Sequence, residues 1–371
     1  MNRLALKQKS VASELMDLAP ALAKPEDDVP IVLTSNAVYV LSQLGLSDMV
    51  KKAPQLDKWE IRNMGDQVMG GLDFKSIAEE TSLRGFPTIC MQRNELVRQL
   101  VKAGSALDDK SGMRMACGIK SLEMKQGSAH VSFSASTVKP KSYRMVVGAD
   151  GLASKVRELL VGPIGGKHVQ IKFPGWGRWM CTIPAALFPL ASGDRTMTEF
   201  WKEGRRIGSW PCAGGNVVFY GTVLHPRPAP IPDNPQARID AFCKDFEFVK
   251  EDFGGAIERI FEHLHANKKR IDLKLEYPAQ AIEDAFSLAN AIVSAEGGKL
   301  LPEEDMDIAL RAWRTARRSK AAIVEQASEE FHKAAKSFSN KGLMGFITSR
   351  LAPVAVNERS MNARFRKVYR L

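Results

Sequence analysis

Apolar residues recur at helical intervals in several stretches of the chain. This spacing predicts helices over residues 35–52, 94–103, 236–248, 255–264 and 302–338. Ser35 and Asn36 are suited to cap the first of them, and Pro302 suits the first turn of the last, which would be about 50 Å long. Residues 1–23 show the same periodicity and predict helix rather than strand.

Strand patterns occupy the middle of the chain. Alternating or continuous apolar runs predict strands over residues 128–134, 143–147, 180–183, 197–201, 207–210 and 216–223. The last four are short and rich in aromatic and β-branched residues, which predicts an antiparallel sheet. Residues 143–147 are apolar enough for a strand that is buried on both faces. Prolines over residues 226–235 predict a linker after the sheet.

Composition and length are those of a folded protein with two or three folding units, with 44% apolar and 26% charged residues in a chain of 371. No stretch reaches the roughly 18 uncharged apolar residues of a membrane span, because the best candidate, residues 179–191, contains Pro184 and Pro189. The five cysteines lie at least 27 positions apart, at Cys90, Cys117, Cys181, Cys212 and Cys243. Their spacing argues against a metal or dithiol site. Together with the lack of a secretory signal, it predicts an intracellular protein, cytoplasmic or mitochondrial and not secreted.

The net charge of +11 is concentrated in one part of the chain. Residues 311–371 contain 14 lysines and arginines against 4 acidic residues, so the first 310 residues carry only +1. Such a basic segment could bind nucleic acid, an anionic membrane or an acidic protein, or it could be a solvated helix face. The sequence leaves these interpretations open.

Residues 146–157, VVGADGLASKVR, combine an apolar run, a glycine turn and the start of a helix. In such an arrangement backbone amides approach a ligand closely, and Asp150 can accept a hydrogen bond. A tight turn without a ligand would use the same residues, so the spacing alone does not decide between the two.

Three other groups of residues are poorer candidates for chemistry. His263 and His265 lie about 200° apart around a helix, which does not suit a shared metal. Glu283 and Asp284 are adjacent and do not share a helix face, so we interpret them as charges near a helix start. The aromatic and basic residues 173–179 predict core packing or a pocket wall rather than nucleic-acid binding.

Six segments resemble, in the same order, the class A flavoprotein monooxygenases, the FAD-dependent aromatic-ring hydroxylases of the salicylate hydroxylase type. They are IVLTSNAVYVLSQLGL at 31–46, MQRNEL at 91–96, GADGLASKVR at 148–157, the strands over 179–223, AIEDA at 281–285 with Leu288 and Ala289, and LRAW at 310–313 with Arg317 and Arg318. The resemblance covers residues 31–331. It implies an α/β fold with an FAD/NAD(P)-binding Rossmann-like part, an antiparallel substrate-covering sheet and a C-terminal helical tail.

The resemblance also implies roles for four residues. Arg93 matches the family's flavin-contacting arginine. Gly148, Asp150 and Gly151 belong to the DG motif, which lies near the FAD pyrophosphate and the path of the nicotinamide cofactor. FAD and NAD(P)H are the cofactors expected of the family, whereas no catalytic residue or metal ligand can be assigned.

Two of the family's three flavin-binding elements have no counterpart in these 371 residues. There is no GxGxxG turn, and family-like sequence begins near Ile31, so the first strand, its phosphate turn and the acidic ribose contact are expected to be missing. The Gly-Asp motif for the ribityl chain should precede the helix at Ala281, but residues 271–280 lead directly into that helix. Since flavin carries the oxygen chemistry, a chain that does not hold FAD has no hydroxylation mechanism.

These observations predict a degenerate, non-catalytic monooxygenase-like protein that acts as a structural or assembly subunit of a larger complex. The alternatives are an active FAD- and NAD(P)H-dependent aromatic hydroxylase, or a fragmentary coding sequence of one. The predicted organisation is a partial dinucleotide-binding domain (1–165), an antiparallel sheet (166–230), the rest of the dinucleotide-binding domain (231–300), and a long helix with a basic tail (301–371). Without the first strand, Val146 and Val147 should be exposed, so a protein partner or self-association is expected there.

Deletion of residues 342–371 should weaken association with an anionic surface, because this segment carries much of the positive charge. The affinity of the intact chain should fall as salt rises, since exposed charges are screened within about 8 Å at physiological ionic strength. Retention on an anionic matrix over a salt series measures both effects. Retention that neither the deletion nor salt changes would contradict the anionic-surface interpretation.

Overall fold

The computed structural model describes Leu6, Pro232 and residues 12–19, 21–22, 30–106, 113–169, 176–188, 195–202, 205–224, 234–267, 272–273, 278–293 and 299–337. The strands are β1 (Leu15–Met16), β2 (Pro30–Leu33), β3 (Gln55–Leu56), β4 (Lys58–Arg62), β5 (Val68–Asp73), β6 (Thr88–Gln92), β7 (Met113–Arg114), β8 (Ile119–Lys125), β9 (Ser128–Phe133), β10 (Lys141–Tyr143), β11 (Trp176–Pro184), β12 (Thr196–Lys202), β13 (Arg205–Cys212), β14 (Asn216–Leu224) and β15 (Asp272–Leu273). The helices are α1 (Ser35–Gln43), α2 (Ser47–Lys52), α3 (Phe74–Glu79), α4 (Arg93–Ala106), α5 (Lys155–Val161), α6 (Pro235–Phe246), α7 (Ala256–Asn267), α8 (Pro278–Ile292) and α9 (Glu303–Ser337).

The largest sheet has seven strands in the order β15-β11-β14-β13-β12-β4-β5. Its neighbouring strands are antiparallel except for β12 and β4, which are parallel. The antiparallel sheet predicted from the aromatic-rich segments is therefore confirmed. The sequence did not indicate that β4 and β5, from residues 58–73, would extend it.

Three smaller sheets complete the strand arrangement. The sheets β2-β6-β3 and β10-β9-β8 are antiparallel. Strands β1 and β7 form a parallel pair in which Leu15 lies beside Met113 and Met16 beside Arg114. The described residues thus combine α-helices with antiparallel sheets and a short parallel pair, in agreement with the expected α/β class. The domain boundaries remain predictions.

Two predictions about strands are wrong. Residues 143–147 do not form a strand buried on both faces, because β10 ends at Tyr143, belongs to an antiparallel sheet, and leaves Val147 37% exposed. Leu15 and Met16, placed in a helix-like stretch, form β1 instead. Their backbone pairs with β7, so a tertiary contact overrides local periodicity at this point. Of the two residues expected to be exposed, Val147 is, whereas Val146 is half-buried because it packs against the cluster of Cys117, Val131 and Phe133.

The predicted helices are largely confirmed, with one break. The pattern over residues 35–52 is divided into α1 and α2 at Gly45, whose φ of +79° favours glycine and ends the first helix. Ser35 and Asn36 lie inside α1, and Thr34 precedes it. Most of the predicted linker and all of residues 338–371 lie outside the described residues.

The two faces of the seven-stranded sheet pack against different partners. The outer face, with Phe200 and Phe219, packs against Phe242 of α6 and Ile257 of α7. The inner face packs against residues of β6 and α3, and its buried side chains are Met180, Trp201, Trp210, Cys212, Val218 and Tyr220. Alternation along each strand produces this division.

Helix α9 connects two of the apolar cores. Near its start, Met306 is buried with α1 and α8, and Trp313 packs against the same cluster. Further along, Ile323 and Val324 pack against the inner-face cluster of the sheet. No helix within the described ranges combines the length and hydrophobicity needed to cross a membrane.

Gly221 in β14 gives a test of the outer-face packing. A Cβ atom at this position would lie 2.0 Å from Cζ of Phe246, so the ring or strand must move. Gly221→Ala should lower the free energy of unfolding by about 1–3 kcal/mol, the usual cost of overpacking, as measured by urea denaturation. Gly65→Ala is the control, because its Cβ would meet only the Asn63 side chain, at 3.3 Å. Equal losses in the two variants would contradict this packing.

Candidate functional site

The DG motif forms a self-contained turn before α5. Oδ2 of Asp150 accepts hydrogen bonds from the backbone amides of Lys155 (2.7 Å) and Val156 (3.1 Å), and Oδ1 accepts one from the Ser154 hydroxyl (2.5 Å). Burial raises the pKa of Asp150, but these hydrogen bonds outweigh it and hold the pKa below its ordinary value. The carboxylate that the resemblance assigns to the cofactor region therefore caps its own helix.

Both glycines of the motif are required by the turn itself. Gly151 has φ of +78°, a conformation that favours glycine. A Cβ on Gly148 would lie 2.8 Å from a methyl group of Val156. The motif therefore forms a tight turn, and its role in binding a ligand stays a prediction.

Arg93 lies on a different element from the other three candidate residues. It is the first residue of α4, directly after β6, and its side chain is exposed, whereas Leu96 on the same helix is buried. The structure therefore brings Gly148, Asp150 and Gly151 together in one turn and places Arg93 at the junction of β6 and α4.

The connection between the large sheet and α8 is short. Strand β15 pairs with β11 at the edge of the seven-stranded sheet and ends at Leu273. Helix α8 begins at Pro278, so only four residues lie between the two elements. An additional strand with a Gly-Asp turn does not fit in four residues, since strands usually have about five or six. The absence of the Gly-Asp element at this position stays a prediction from the sequence.

An acidic residue follows the parallel strand β1, which the sequence analysis did not foresee. Asp17 is exposed. Its backbone amide donates to the carbonyl oxygen of Arg114, and its carbonyl oxygen accepts from the amide of Cys117. Its Oδ1 accepts from the amide of Ala19 at 2.8 Å. Carboxyl ends of parallel strands are where α/β folds place ligand-binding groups. The pattern could not reveal this position, because β1 is only two residues long and lies in a helix-like stretch.

The inner face of the seven-stranded sheet contains a buried polar cluster. The carboxylate of Glu199 accepts from the phenol of Tyr220 at 2.6 Å and from the indole of Trp201, and it lies 3.6 Å from Nη1 of Arg206. Gly208 lies between the strands of Glu199 and Tyr220, and a Cβ there would be 2.7 Å from the Tyr220 oxygen. The glycine thus makes room for the hydrogen bond.

Two further groups extend this cluster. The guanidinium of Arg178 lies 5.2 Å from the centre of the Tyr220 ring, and its Nε is 3.4 Å from Oγ1 of Thr222. Burial lowers the pKa of Arg206, and Glu199 offsets part of this effect. Burial, followed by the charge of Glu199, raises the pKa of Tyr220 well above its ordinary value, so its phenol stays protonated and donates.

None of these inner-face residues was singled out from the sequence. A signal was present, because Glu199 and Arg206 are charged residues inside otherwise aromatic or β-branched strands. Only the register of β12, β13 and β14 places them beside Tyr220.

Glu283 was interpreted as a charge near a helix start, and this interpretation is wrong. It is buried, its carboxylate accepts from the side chain of Asn36, and it pairs with Arg317 at 3.2 Å and with Lys320 at 2.8 Å. Arg317 also pairs with Asp284. The adjacent carboxylates are bridged by one guanidinium from α9, which sequence spacing could not show.

The described part of the chain gives little support for a metal site or for a reactive thiol. No group of three or more histidine, cysteine, aspartate or glutamate side chains there is arranged to hold a metal ion. All five cysteines are free thiols. Cys243 lies 3.7 Å from Nε2 of His265, but burial raises the pKa of its thiol to about 12.

Comparison with known proteins identifies the fold. No protein-family model and no curated protein sequence matches the chain. Among solved structures, it is similar to Klebsiella pneumoniae HpxO complexed with FAD and uric acid, at 17% identity and a TM-score of 0.73, over 99% of this chain and 93% of that one. It is also similar to 2-methyl-3-hydroxypyridine-5-carboxylic acid oxygenase, at 19% identity and a TM-score of 0.60, over 95% of this chain and 93% of that one. A third similar structure is that of tetracycline destructase Tet(51), at 13% identity and a TM-score of 0.61, over 100% of this chain and 95% of that one.

The chain therefore has the fold of the class A FAD-dependent monooxygenases. This confirms, at the level of the fold, the resemblance drawn from the six sequence segments. Identities below 20% establish the fold and leave activity to be argued from the residues of this chain.

Tyr220→Phe tests the inner-face cluster. The variant should lower the free energy of unfolding by about 1–3 kcal/mol at neutral pH, because Glu199 loses a buried donor. The raised pKa of Tyr220 means that folding favours its protonated form, so its contribution is intact below about pH 10 and is lost as pH rises above that value. Chemical unfolding from about pH 9 to 11 should show a steeper loss for the wild type than for the variant.

Ser209→Ala is the control for this measurement. Its hydroxyl is buried in β13 and has no hydrogen-bond partner among the described residues. Its removal should be neutral or slightly stabilising. Parallel pH profiles for the wild type and Tyr220→Phe would contradict the assignment.

Proposed function

We propose that the 371-residue chain is a degenerate protein of the flavin-monooxygenase fold, non-catalytic by itself, which serves as a structural or assembly subunit of a larger complex. The observation that carries the proposal is the four-residue connection between β15 and α8. It lies inside the chain, at the position where the resembling family has its Gly-Asp element.

The residues present do not fit FAD well. The carboxylate of Asp150 already accepts three hydrogen bonds at the start of α5. Residues 144–149, which precede it, belong to no strand. A contact to a charged group is worth roughly 1.5–3 kcal/mol, and each 1.4 kcal/mol is a factor of about ten in affinity. The lack of a Gly-Asp pair directly before α8, together with the engagement of Asp150, supports weak or no retention of the cofactor.

A second candidate is an FAD- and NAD(P)H-dependent hydroxylase of a polar aromatic compound. The inner-face cluster favours it, because Arg178, Arg206 and Tyr220 lie on the sheet that resembles the substrate-covering sheet of the family. The similarity to HpxO and to the pyridine-carboxylic acid oxygenase supports the same candidate. Those enzymes are matched over more than 90% of their length.

Absorption spectroscopy separates the two candidates. We expect the purified chain to be colourless and to take up no FAD when titrated at micromolar concentration, because no Gly-Asp element precedes α8 and Asp150 is hydrogen-bonded within its own turn. A stoichiometric flavin spectrum, with NAD(P)H oxidation on addition of substrate, would contradict the first candidate and support the second.

Two variants give this measurement a matched control. If flavin binds, Arg93→Ala and Asp150→Ala should weaken it, since these positions match the family's cofactor contacts. Asp66→Ala should leave flavin affinity unchanged, because Asp66 lies in an exposed turn, where it pairs with Arg62. Equal effects of all three would show that flavin binds elsewhere.

A further inference from the structure

The exposed apolar side chains of the described residues are concentrated in one segment of the chain. Five come from residues 147–164: Val147, Leu152, Leu160, Val161 and Ile164, with Leu152 71% and Leu160 60% exposed. Helix α5, within this segment, has no buried side chain. Singly exposed apolar residues are ordinary, whereas a group of this kind marks an interaction surface.

The neighbouring elements add to the same surface. Helix α5 packs against β8, where Met124 is 65% exposed. The turn after β8 approaches the first residue of α9, since a Cβ on Gly127 would lie 3.7 Å from a carboxylate oxygen of Glu303. Ile308, one turn further on in α9, is 67% exposed.

Charge divides this surface into two adjacent patches. Residues 139–168, the basic patch, contain six lysines and arginines against two acidic residues. Residues 303–307, the acidic patch, contain four acidic residues and no basic one. The patches adjoin, because Arg144 of the basic patch donates to the backbone oxygen of Leu301, two residues before the acidic patch.

We infer that this surface binds a second copy of the chain across a two-fold axis. In a two-fold dimer, the basic patch of each copy faces the acidic patch of the other copy. Two equivalent contacts between opposite charges therefore form in one interface. The apolar side chains within and beside these patches lose water on pairing, which supplies the driving force. The inference rests on exposure and charge and does not require the proposed function.

Other occupants fit this surface less well. The basic segment after Ser337 would complement the acidic patch but not the basic one. A negatively charged cofactor would complement the basic patch but would leave Met124 and Ile308 uncovered. A second copy supplies both charges and apolar area.

The first experiment measures the mass of the full chain by sedimentation over a range of concentrations. We expect a dimer at micromolar concentration. Leu160→Asp should weaken dimerisation at least tenfold, because dimerisation would then bury a charge among apolar side chains. Val68→Asp, at an equally exposed residue of β5 (56%), is the control and should leave the dimer intact.

The second experiment exchanges the charges. One variant carries Glu303→Lys and Glu304→Lys, and the other carries Lys155→Glu and Lys167→Glu. Each alone should dimerise much more weakly, because its altered patch is then neutral and no longer attracts the opposite patch of a second copy. An equimolar mixture should recover association as a heterodimer, because the unaltered basic patch of one variant meets the unaltered acidic patch of the other. Recovery in the mixture also shows that both variants are folded.

Several outcomes would overturn the inference. A wild-type monomer at high concentration, with or without FAD, would show that no second copy binds. Open-ended association would contradict a closed two-fold contact, and a mixture that stays monomeric would contradict the pairing of the patches. Loss of the dimer on deletion of residues 338–371 alone would assign the contact to that segment. Flavin binding is measured in a separate experiment, so failure of the proposed function can be distinguished from failure of this inference.

Discussion

The buried carboxylate of Glu283 is the interaction on which the arrangement of the helices depends. It accepts from Asn36 of α1 and pairs with Arg317 and Lys320 of α9, so three helices meet at one charge. Removing one partner of a buried ion pair typically costs about 3–5 kcal/mol, because the remaining charge stays in a region without water. Since α9 continues to the inner face of the sheet through Ile323, this contact also positions the two cores.

A second buried carboxylate, Glu199, fixes the chemistry of the inner face. Its bonds to Tyr220 and Trp201 and its pairing with Arg206 form a polar cluster inside an aromatic sheet. Such a cluster is costly unless every member has partners, and Gly208 provides the space that the hydrogen bond requires. The inner face of the sheet therefore carries specific, oriented polar groups.

The DG turn shows the opposite pattern, because Asp150 makes its hydrogen bonds within the turn and Val147 is exposed beside it. The carboxylate of the motif is thus engaged at the start of its neighbouring helix, and the same segment carries five of the exposed apolar side chains.

The sequence by itself determined the helices and aromatic-rich strands, because apolar periodicity directly reflects which side chains are buried. It also identified the DG turn, since Gly151 needs a positive φ. Contacts between distant residues were decided only by the tertiary structure. The parallel pairing of Leu15 with Met113, the register that places Glu199 beside Tyr220, and the approach of Arg317 to Glu283 join residues 21 to 98 positions apart. Local patterns do not encode such contacts, because they depend on how completed elements pack together.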